Sequence, residues 1–349
     1  MISFRLIFGL AVLMFYACNN HKMSSNSSIQ QNPLKAVIIN DTIRYGDTIL
    51  VSIYVEEKID SLLIFINNKK IGRFDVSETI KISSSEIRLG RNLISFRSYQ
   101  GNRFFDYSLN SIVYSDIIPR IINYKLLKSY PHDQQAYTQG LLLDSGYLYE
   151  STGMWKQSTL RKVELKSGKV LQIHKLSDEV FAEGLVLLND KLIQISYKNR
   201  QGFVYDKSSF QLLRHFYYPM AEGWGLCSNG KELIMTEGSN KLYFLDTSYY
   251  EVQRVLEVYD YNGEVNYINE MEFVDGKIYA NIYGRDYIVI IDANTARVMG
   301  RIDFTGLLPQ DRQTANTDVF NGIAYDPTDG NFLITGKNWP LLFRVKLIQ

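Results

Sequence analysis

Cysteine is scarce in this 349-residue chain: there are two, Cys18 and Cys227. That excludes a disulfide-stapled scaffold, so a packed apolar core must hold the fold. Proline is also sparse, with seven residues. Charge of one sign is missing too. Thirty-eight Lys and Arg face 37 Asp and Glu, for a net +1, and no basic run exceeds three residues. Nucleic-acid binding depends on clustered Lys and Arg, so nucleic acid is not an expected partner. No apolar run is long enough to cross a bilayer as a helix; the longest leader-like run is Leu6 to Tyr16. What the chain does have is aromatic residues, 13% of the total with 25 Tyr, which favours β-structure. With 46% hydrophobic and 21% charged residues, disorder is excluded beyond a short tail.

The leader MISFRLIFGLAVLMFYACNN carries Arg5, the apolar run and then Ala17-Cys18. It reads as a signal segment, and its small residue followed by Cys resembles the lipobox of bacterial lipoproteins. Phe15 stands where that motif usually has Leu. The resemblance implies cleavage after residue 17 and a lipid anchor at Cys18, and hence a bacterial cell-envelope protein held on a membrane, with the outer membrane expected. Residues 18–34 are Ser, Asn and Gln rich and read as a flexible tether. Cys227 then has no partner left, and is read as a small buried apolar residue.

The chain is organised around a repeat. YTQGLLLDSGYLYESTG, starting at Tyr137, alternates faces along a strand, turns at Asp144-Ser145-Gly146 and returns. Related segments start at Phe181, Glu222, Asn269 and Phe320. With pivots at Gly140, Gly184, Gly225, Met271 and Gly322, the steps run from 41 to 51 residues. A third and fourth strand follow each hairpin, as in LRKVELKSGKVLQIHKL. Periods of roughly 40–50 residues with four strands per unit predict propeller blades, and five units predict five. The fifth unit ends one strand short, at PLLFRVKLIQ, while a spare strand, Arg120 to Tyr130, precedes the first. The last blade is therefore expected to take its outer strand from the front of the domain, which closes the ring and removes an open edge.

Residues 35–116 have a different grain: six or seven short alternating strands, with turns at Asn67-Asn68 and at Leu89 to Asn92. They predict an immunoglobulin-like β-sandwich with no titratable cluster, read as a spacer or docking module. The expected organisation is thus an all-β chain: leader 1–17, tether 18–34, sandwich 35–116 and five-bladed β-propeller 117–349.

The segments SYPHDQQAYTQGL, LYESTGMWKQSTLRKVELKSGKVL, FAEGL, EGWGL, INEMEFVDGKIYANIYGRDYIVIID and LITGKNWPLLF carry a specific resemblance, spread over all five units from Lys125 to about Val345. They resemble the glutaminyl-peptide cyclotransferases of the plant and bacterial type. The resemblance implies an acyltransferase that closes an N-terminal glutamine of a peptide or protein into pyroglutamate and releases ammonia, with no cofactor. By the same resemblance Glu183 is the acid/base, Gln139, Asn269 and Lys337 are polar pocket residues, and Trp224 and Phe181 are aromatic walls. Tyr137 stands where the family usually has Phe, and Tyr197 and Tyr283 where it has Trp, so the pocket is expected to be wetter.

The residue types support that chemistry independently. Propellers bind ligands at the mouth of their axis, so the leading polar positions of the five units should converge. These are Tyr137 and Gln139, Phe181 and Glu183, Glu222 and Trp224, Asn269 and Glu270, and Asn321, joined by Tyr197, Lys198, Tyr283 and Lys337. One carboxyl group can take a proton from an attacking amine and give it to departing ammonia. A desolvating aromatic pocket raises its pKa toward that task. His132 is read as structural, and His174 and His215 as strand or surface residues. Glu237, Glu270 and Glu272 leave open a carboxylate cluster holding a divalent cation, although no spacing demands one. Two other readings remain: a metal-dependent propeller hydrolase of lactonase type, and a non-catalytic, lipid-anchored binding propeller. The chain is expected to be a monomer.

Overall fold

The computed structural model describes residues 32–75, 79–84 and 87–348; the leader, Cys18 and most of the tether lie outside them. The described chain is all-β.

Residues 34–114 form two sheets. One holds Leu34–Ile38, Thr48–Val55 and Thr79–Ser83; the other holds Ile43–Arg44, Arg103–Tyr114, Gly90–Gln100, Ser61–Ile66 and Lys69–Phe74 in that spatial order. Alternate residues such as Ile49, Val51, Leu62, Ile64, Ile94 and Phe96 point into one shared core. Among the described residues there are eight strands rather than six or seven, the extra one being the two-residue Ile43–Arg44. Asn67 and Asn68 do form the expected turn, both with positive φ. Leu89 to Asn92, expected as a turn, instead opens the long Gly90–Gln100 strand. The Asn92 side chain bonds to the Arg88 and Gly90 carbonyls at 2.8 and 2.9 Å, organising the strand start rather than a reversal.

Residues 120–348 form five sheets in sequence order, each built on four antiparallel strands, the fourth carrying a short fifth strand as well. The first holds Thr138–Asp144, Tyr147–Thr152, Thr159–Glu164 and Val170–Lys175. The second holds Ala182–Leu188, Lys191–Ser196, Gln201–Asp206 and Leu212–Tyr217. The third holds Leu226–Ser228, Glu232–Met235, Lys241–Asp246 and Val252–Glu257. The fourth holds Ile268–Val274, Lys277–Ile282, Tyr287–Asp292 and Val298–Asp303. The fifth is Phe320–Asp326, Asn331–Gly336 and Leu341–Ile348, completed by Asn123–Pro131 from the front. The closing strand pairs Asn123 with Ile348 and Pro131 with Leu341. The spare segment is therefore divided: Arg120–Ile121 adds in parallel to the fourth sheet beside Gly300 and Arg301, and only the rest closes the fifth.

Each leading strand touches that of the next sheet, and the fifth touches the first, so the sheets stand in a ring. A separate apolar core fills each gap between neighbours. Leu142, Tyr149 and Leu160 meet Leu185, Leu192 and Phe203 between the first two sheets. Leu141, Leu148 and Val163 meet Ala324, Leu333 and Leu342 across the closure. At about 1.5–3 kcal/mol per fully buried Leu, Ile or Phe side chain, these five seams are the main cohesive term. Cys227 belongs to the seam between the third and fourth sheets, as a buried free thiol.

Four of the five leading strands are irregular in one shared way. The pairing register slips between Thr138 and Gly140, Ala182 and Leu185, Ile268 and Met271, and Phe320 and Ile323. Each slip is a β-bulge, which bends a strand and re-aims a side chain. Aligning the bulges corrects the fourth pivot: Glu270, not Met271, is equivalent to Gly140, Gly184, Gly225 and Gly322. Close approach explains the glycines. A Cβ on Gly225 would lie 1.8 Å from the Asn269 carbonyl oxygen, and those on Gly140 and Gly184 would lie 2.5 Å from the backbone nitrogens of Leu185 and Leu226.

The front sheets dock on the rim of the third and fourth sheets. Arg44 donates to the Tyr261 carbonyl at 2.6 Å, with its guanidinium 3.4 Å from the Tyr261 ring centre. Tyr114 packs edge-on against Tyr259 at 5.9 Å.

Candidate active site

The residue before each aligned pivot is Gln139, Glu183, Trp224, Asn269 or Asn321, and in every unit but the third it lies at a bulge. Four of the five line one cavity of about 240 Å³, together with Tyr137, Phe181, Tyr197, Tyr283 and Lys337. The structure thus brings all nine expected pocket residues together. Asn321 is held back: its Nδ2 donates to the Thr138 carbonyl at 3.0 Å, a strut between the fifth and first sheets. Glu222 accepts the Trp224 indole N–H at 3.0 Å and orients that ring. Lys198 does not line the cavity; it lies 3.6 Å from Glu222 at the rim.

At the floor, Gln139 Nε2 donates to Glu183 Oε1 at 2.9 Å. Glu183 is only 5% exposed. Burial pushes its carboxyl well above the usual carboxylate range; the Lys337 ammonium pulls against that rise, and Glu222 adds to it. Lys337 is 2% exposed, and burial lowers its pKa against the opposing pull of Glu183 and Asp318. Its Nζ lies 4.8 Å from the Tyr137 ring centre and 5.3 Å from that of Tyr283, so two aromatic faces hold the cation. The walls continue as ring contacts: edge-on from Tyr137 to Phe181 at 6.2 Å and from Trp224 to Tyr283 at 5.6 Å, and tilted from Phe181 to Tyr197 at 5.7 Å. Gln139 Oε1 and Asn269 Oδ1 are buried and find no hydrogen-bond partner among the described residues. Buried carbonyl oxygens normally have partners, so two residues that line the cavity each carry an unpaired acceptor.

Sequence reasoning missed Asp318. Its backbone N–H donates to the Lys337 carbonyl at 3.0 Å and its own carbonyl accepts the Trp339 indole N–H at 2.9 Å. Burial, helped by the carboxylate of Asp318, raises the Tyr137 hydroxyl's pKa. Asp318 precedes the fifth leading strand by two residues, in a polar loop without periodicity. Glu270 is not in the cavity. It accepts the backbone N–H of Leu141 at 3.2 Å and of Ile323 at 2.7 Å, so its side chain bonds across to the leading strands of the first and fifth sheets. Glu237 does not join Glu270 and Glu272, because its carboxylate accepts from Ser239 and, at 3.2 Å, from Tyr243. Among the described residues no three His, Cys, Asp or Glu side chains gather as metal ligands would. His132 is structural: it bonds Trp339 O at 2.7 Å and Glu150 at 3.0 Å, and Glu150 also accepts from Thr138 beside Gln139.

A family model described as glutamine cyclotransferase matches residues 108–347. The chain belongs to the glutamine cyclotransferase family. Over 240 residues it is 36% identical to a glutaminyl-peptide cyclotransferase of Arabidopsis thaliana, an alignment spanning 67% of this chain and 74% of that protein. The crystal structure of Myxococcus xanthus glutaminyl cyclase superposes with a TM-score of 0.62 at 33% identity, covering 66% of this chain and 98% of that one. The family match begins at residue 108, so most of the front two-sheet unit lies outside it. Gln139, Glu183, Trp224, Asn269 and Lys337 all fall inside the matched range.

Proposed function

We infer that the chain is a glutaminyl-peptide cyclotransferase, converting an N-terminal glutamine of a peptide or protein into pyroglutamate with release of ammonia. Family membership and the names of both relatives support the activity. The observation that carries the mechanism is the buried Glu183 carboxyl, bonded to Gln139 and interacting electrostatically with Lys337 in an aromatic cavity.

The substrate's first residue enters the cavity, and its N–H groups meet the free oxygens of Gln139 and Asn269. The side chain folds back so that the neutral α-amine faces the γ-carboxamide carbon. A nitrogen–carbon bond forms and the carbonyl π electrons move onto oxygen, where the Lys337 ammonium stabilises them; one such donor is worth about 10²–10³ in rate. Ionised Glu183 takes the proton from the attacking nitrogen and hands it to the carboxamide nitrogen. The oxygen's electron pair then returns, the C–N bond breaks and ammonia leaves, with Glu183 again a carboxylate. Its contribution is expected at about 10²–10⁴. Aromatic walls keep water from the carbonyl, which favours ring closure over hydrolysis to glutamate.

The same reading takes the five ringed sheets as the blades of a five-bladed propeller (residues 117–349) and the front pair of sheets (35–116) as an immunoglobulin-like sandwich. It also takes the protein to be a monomer, held on the cell envelope by lipid at Cys18. The deciding experiment mixes purified protein with Gln-Gly dipeptide and measures ammonia and pyroglutamyl product. The wild type should release ammonia stoichiometrically with pyroglutamyl-glycine. Glu183→Gln should lose at least about 10²-fold in kcat with an unchanged melting temperature; a fully active variant removes Glu183 from the chemistry.

A further inference from the structure

The cavity's volume of about 240 Å³ falls below the roughly 300–1,000 Å³ of pockets that enclose drug-sized ligands. It suits a single amino-acid residue. If the substrate's first residue fills it, the second must lie at the mouth, and something there must read or ignore its side chain.

One large, half-exposed side chain packs against a residue of the cavity wall. Trp155 is 45% exposed, yet its ring lies 5.7 Å from that of Phe181 at an interplanar angle of 72°, and Phe181 is a cavity wall. The loop that carries it is strained on both sides. Met154 has φ 86° and Lys156 has φ 68°, left-handed values that side chains other than glycine adopt at a cost. The strain is held in place by several bonds. The Met154 carbonyl accepts the Gln157 N–H at 3.1 Å and the Ser158 hydroxyl at 2.9 Å. The Lys156 N–H donates to the Asp178 carbonyl at 3.2 Å. Ser158 Oγ in turn accepts the backbone N–H of Ala182 at 3.0 Å, tying the loop to the strand that carries Glu183. A turn fixed to the Glu183 strand thus presents an indole, half in solvent, against the cavity-wall residue Phe181.

We propose that Trp155 is a specificity-determining residue: an aromatic platform for the side chain of the substrate's second residue, favouring peptides in which that residue is aromatic or bulky and apolar. This rests on the cyclotransferase reading. An indole gives a large, rigid contact area at small entropic cost and packs offset or edge-on against other rings. Glycine at the second position offers nothing to pack, and a tyrosine or phenylalanine offers a ring.

The test is the ratio of kcat/KM for Gln-Phe-amide to that for Gln-Gly-amide in the full chain. The wild type should prefer Gln-Phe-amide by about 3- to 10-fold, the worth of one aromatic contact. Trp155→Ser should reduce the ratio to near one through KM, and Trp155→Phe should restore most of it. A wild-type ratio near one, or a ratio unchanged in Trp155→Ser, overturns the proposal. The wild-type ratio decides even if Trp155→Ser folds poorly. An equal loss on both substrates also overturns it, since that would make Trp155 a prop for Phe181. A wild type that releases no ammonia from either peptide fails at the earlier step, the cyclotransferase reading itself.

Discussion

Removing the Glu270 carboxyl should destabilise the ring without touching the chemistry. Glu270 is 1% exposed and stands at the one bulge in the ring where the pivot has a side chain. Its two oxygens take up the N–H groups of Leu141 and Ile323, which belong to the first and fifth sheets. Those strands are the inner edges of their sheets, so no further strand offers these N–H groups an acceptor. Burial, reinforced by nearby Glu272, carries the Glu270 carboxyl well above its usual range, so part of what the residue contributes is offset by its own desolvation. In Glu270→Ala two buried N–H groups lose their partner, at about 1–3 kcal/mol each, and a small void opens on the axis. Relief of the buried carboxyl offsets part of this, leaving a net loss of about 2–5 kcal/mol. Glu270→Gln keeps one acceptor oxygen but sets an NH₂ against the second N–H, so an intermediate loss of about 1–2 kcal/mol is expected. Urea unfolding followed by tryptophan fluorescence measures both, with the midpoint shifting at constant slope. Because Glu270 also joins the first and fifth sheets, the loss should appear in the unfolding rate. A change below about 0.5 kcal/mol in Glu270→Ala, the range of ordinary surface substitutions, would refute the strut. Lost activity at unchanged stability would move Glu270 into the chemistry instead.

Two further outcomes follow from the cavity and the ring. Burial raises the Glu183 carboxyl and Lys337 pulls it back down, and a base must be ionised to accept a proton. The acid limb of the kcat/KM profile should therefore lie above the ordinary glutamate value of about 4.3. Lys337→Met, which removes the lowering charge, should move it to higher pH; a limb that stays put or falls would show that the two groups do not sense each other. Gly225→Ala places a methyl against the Asn269 carbonyl, where no side chain can yield, so the backbone bearing Asn269 must move. About 2–4 kcal/mol of stability should be lost, read by thermal melting, along with kcat/KM. An unshifted melting temperature would mean that the strands are not in contact there.

The repeat was legible because alternation and turn residues survive in every unit: Asp144-Ser145-Gly146 turns where expected, between Asp144 and Tyr147. The cavity residues were legible for a related reason, since each unit places a polar or aromatic residue just before its pivot. What misled was the fourth unit. Asn269-Glu270-Met271 has no glycine, and an apolar Met looks more like a Gly-Leu pair than a glutamate does. Only the register slip shows that Glu270 occupies the glycine position. Asp318 was invisible because its proximity to Lys337 depends on backbone pairing between segments with no periodic signal. Gly90 read as a turn because a glycine followed by polar residues such as Arg91 and Asn92 usually is one. Here Asn92 uses its side chain to cap the strand start, a contact that the local composition does not announce.

The bulge connects fold and chemistry. Five leading strands must approach an axis closely enough for backbone to touch backbone, which requires glycine or, once, a side chain that bonds to its neighbours. The extra residue that each bulge inserts before that contact has no ladder partner and turns toward the axis. The feature that lets the ring close is thus the same one that aims Gln139, Glu183 and Asn269 inward. These side chains sit one residue from close backbone contacts at Gly140 and Gly184 and from the inter-sheet bonds of Glu270, so their positions are held by the ring's own packing rather than by loops. A carboxyl kept at raised pKa needs that rigidity, because a floor that relaxed would admit water and return Glu183 to an ordinary glutamate. Tyr197, Tyr283 and Trp155 have no such constraint, being carried just past second-strand ends and on the Met154 to Lys156 turn. Substrate preference can therefore vary there while the proton-carrying floor stays fixed.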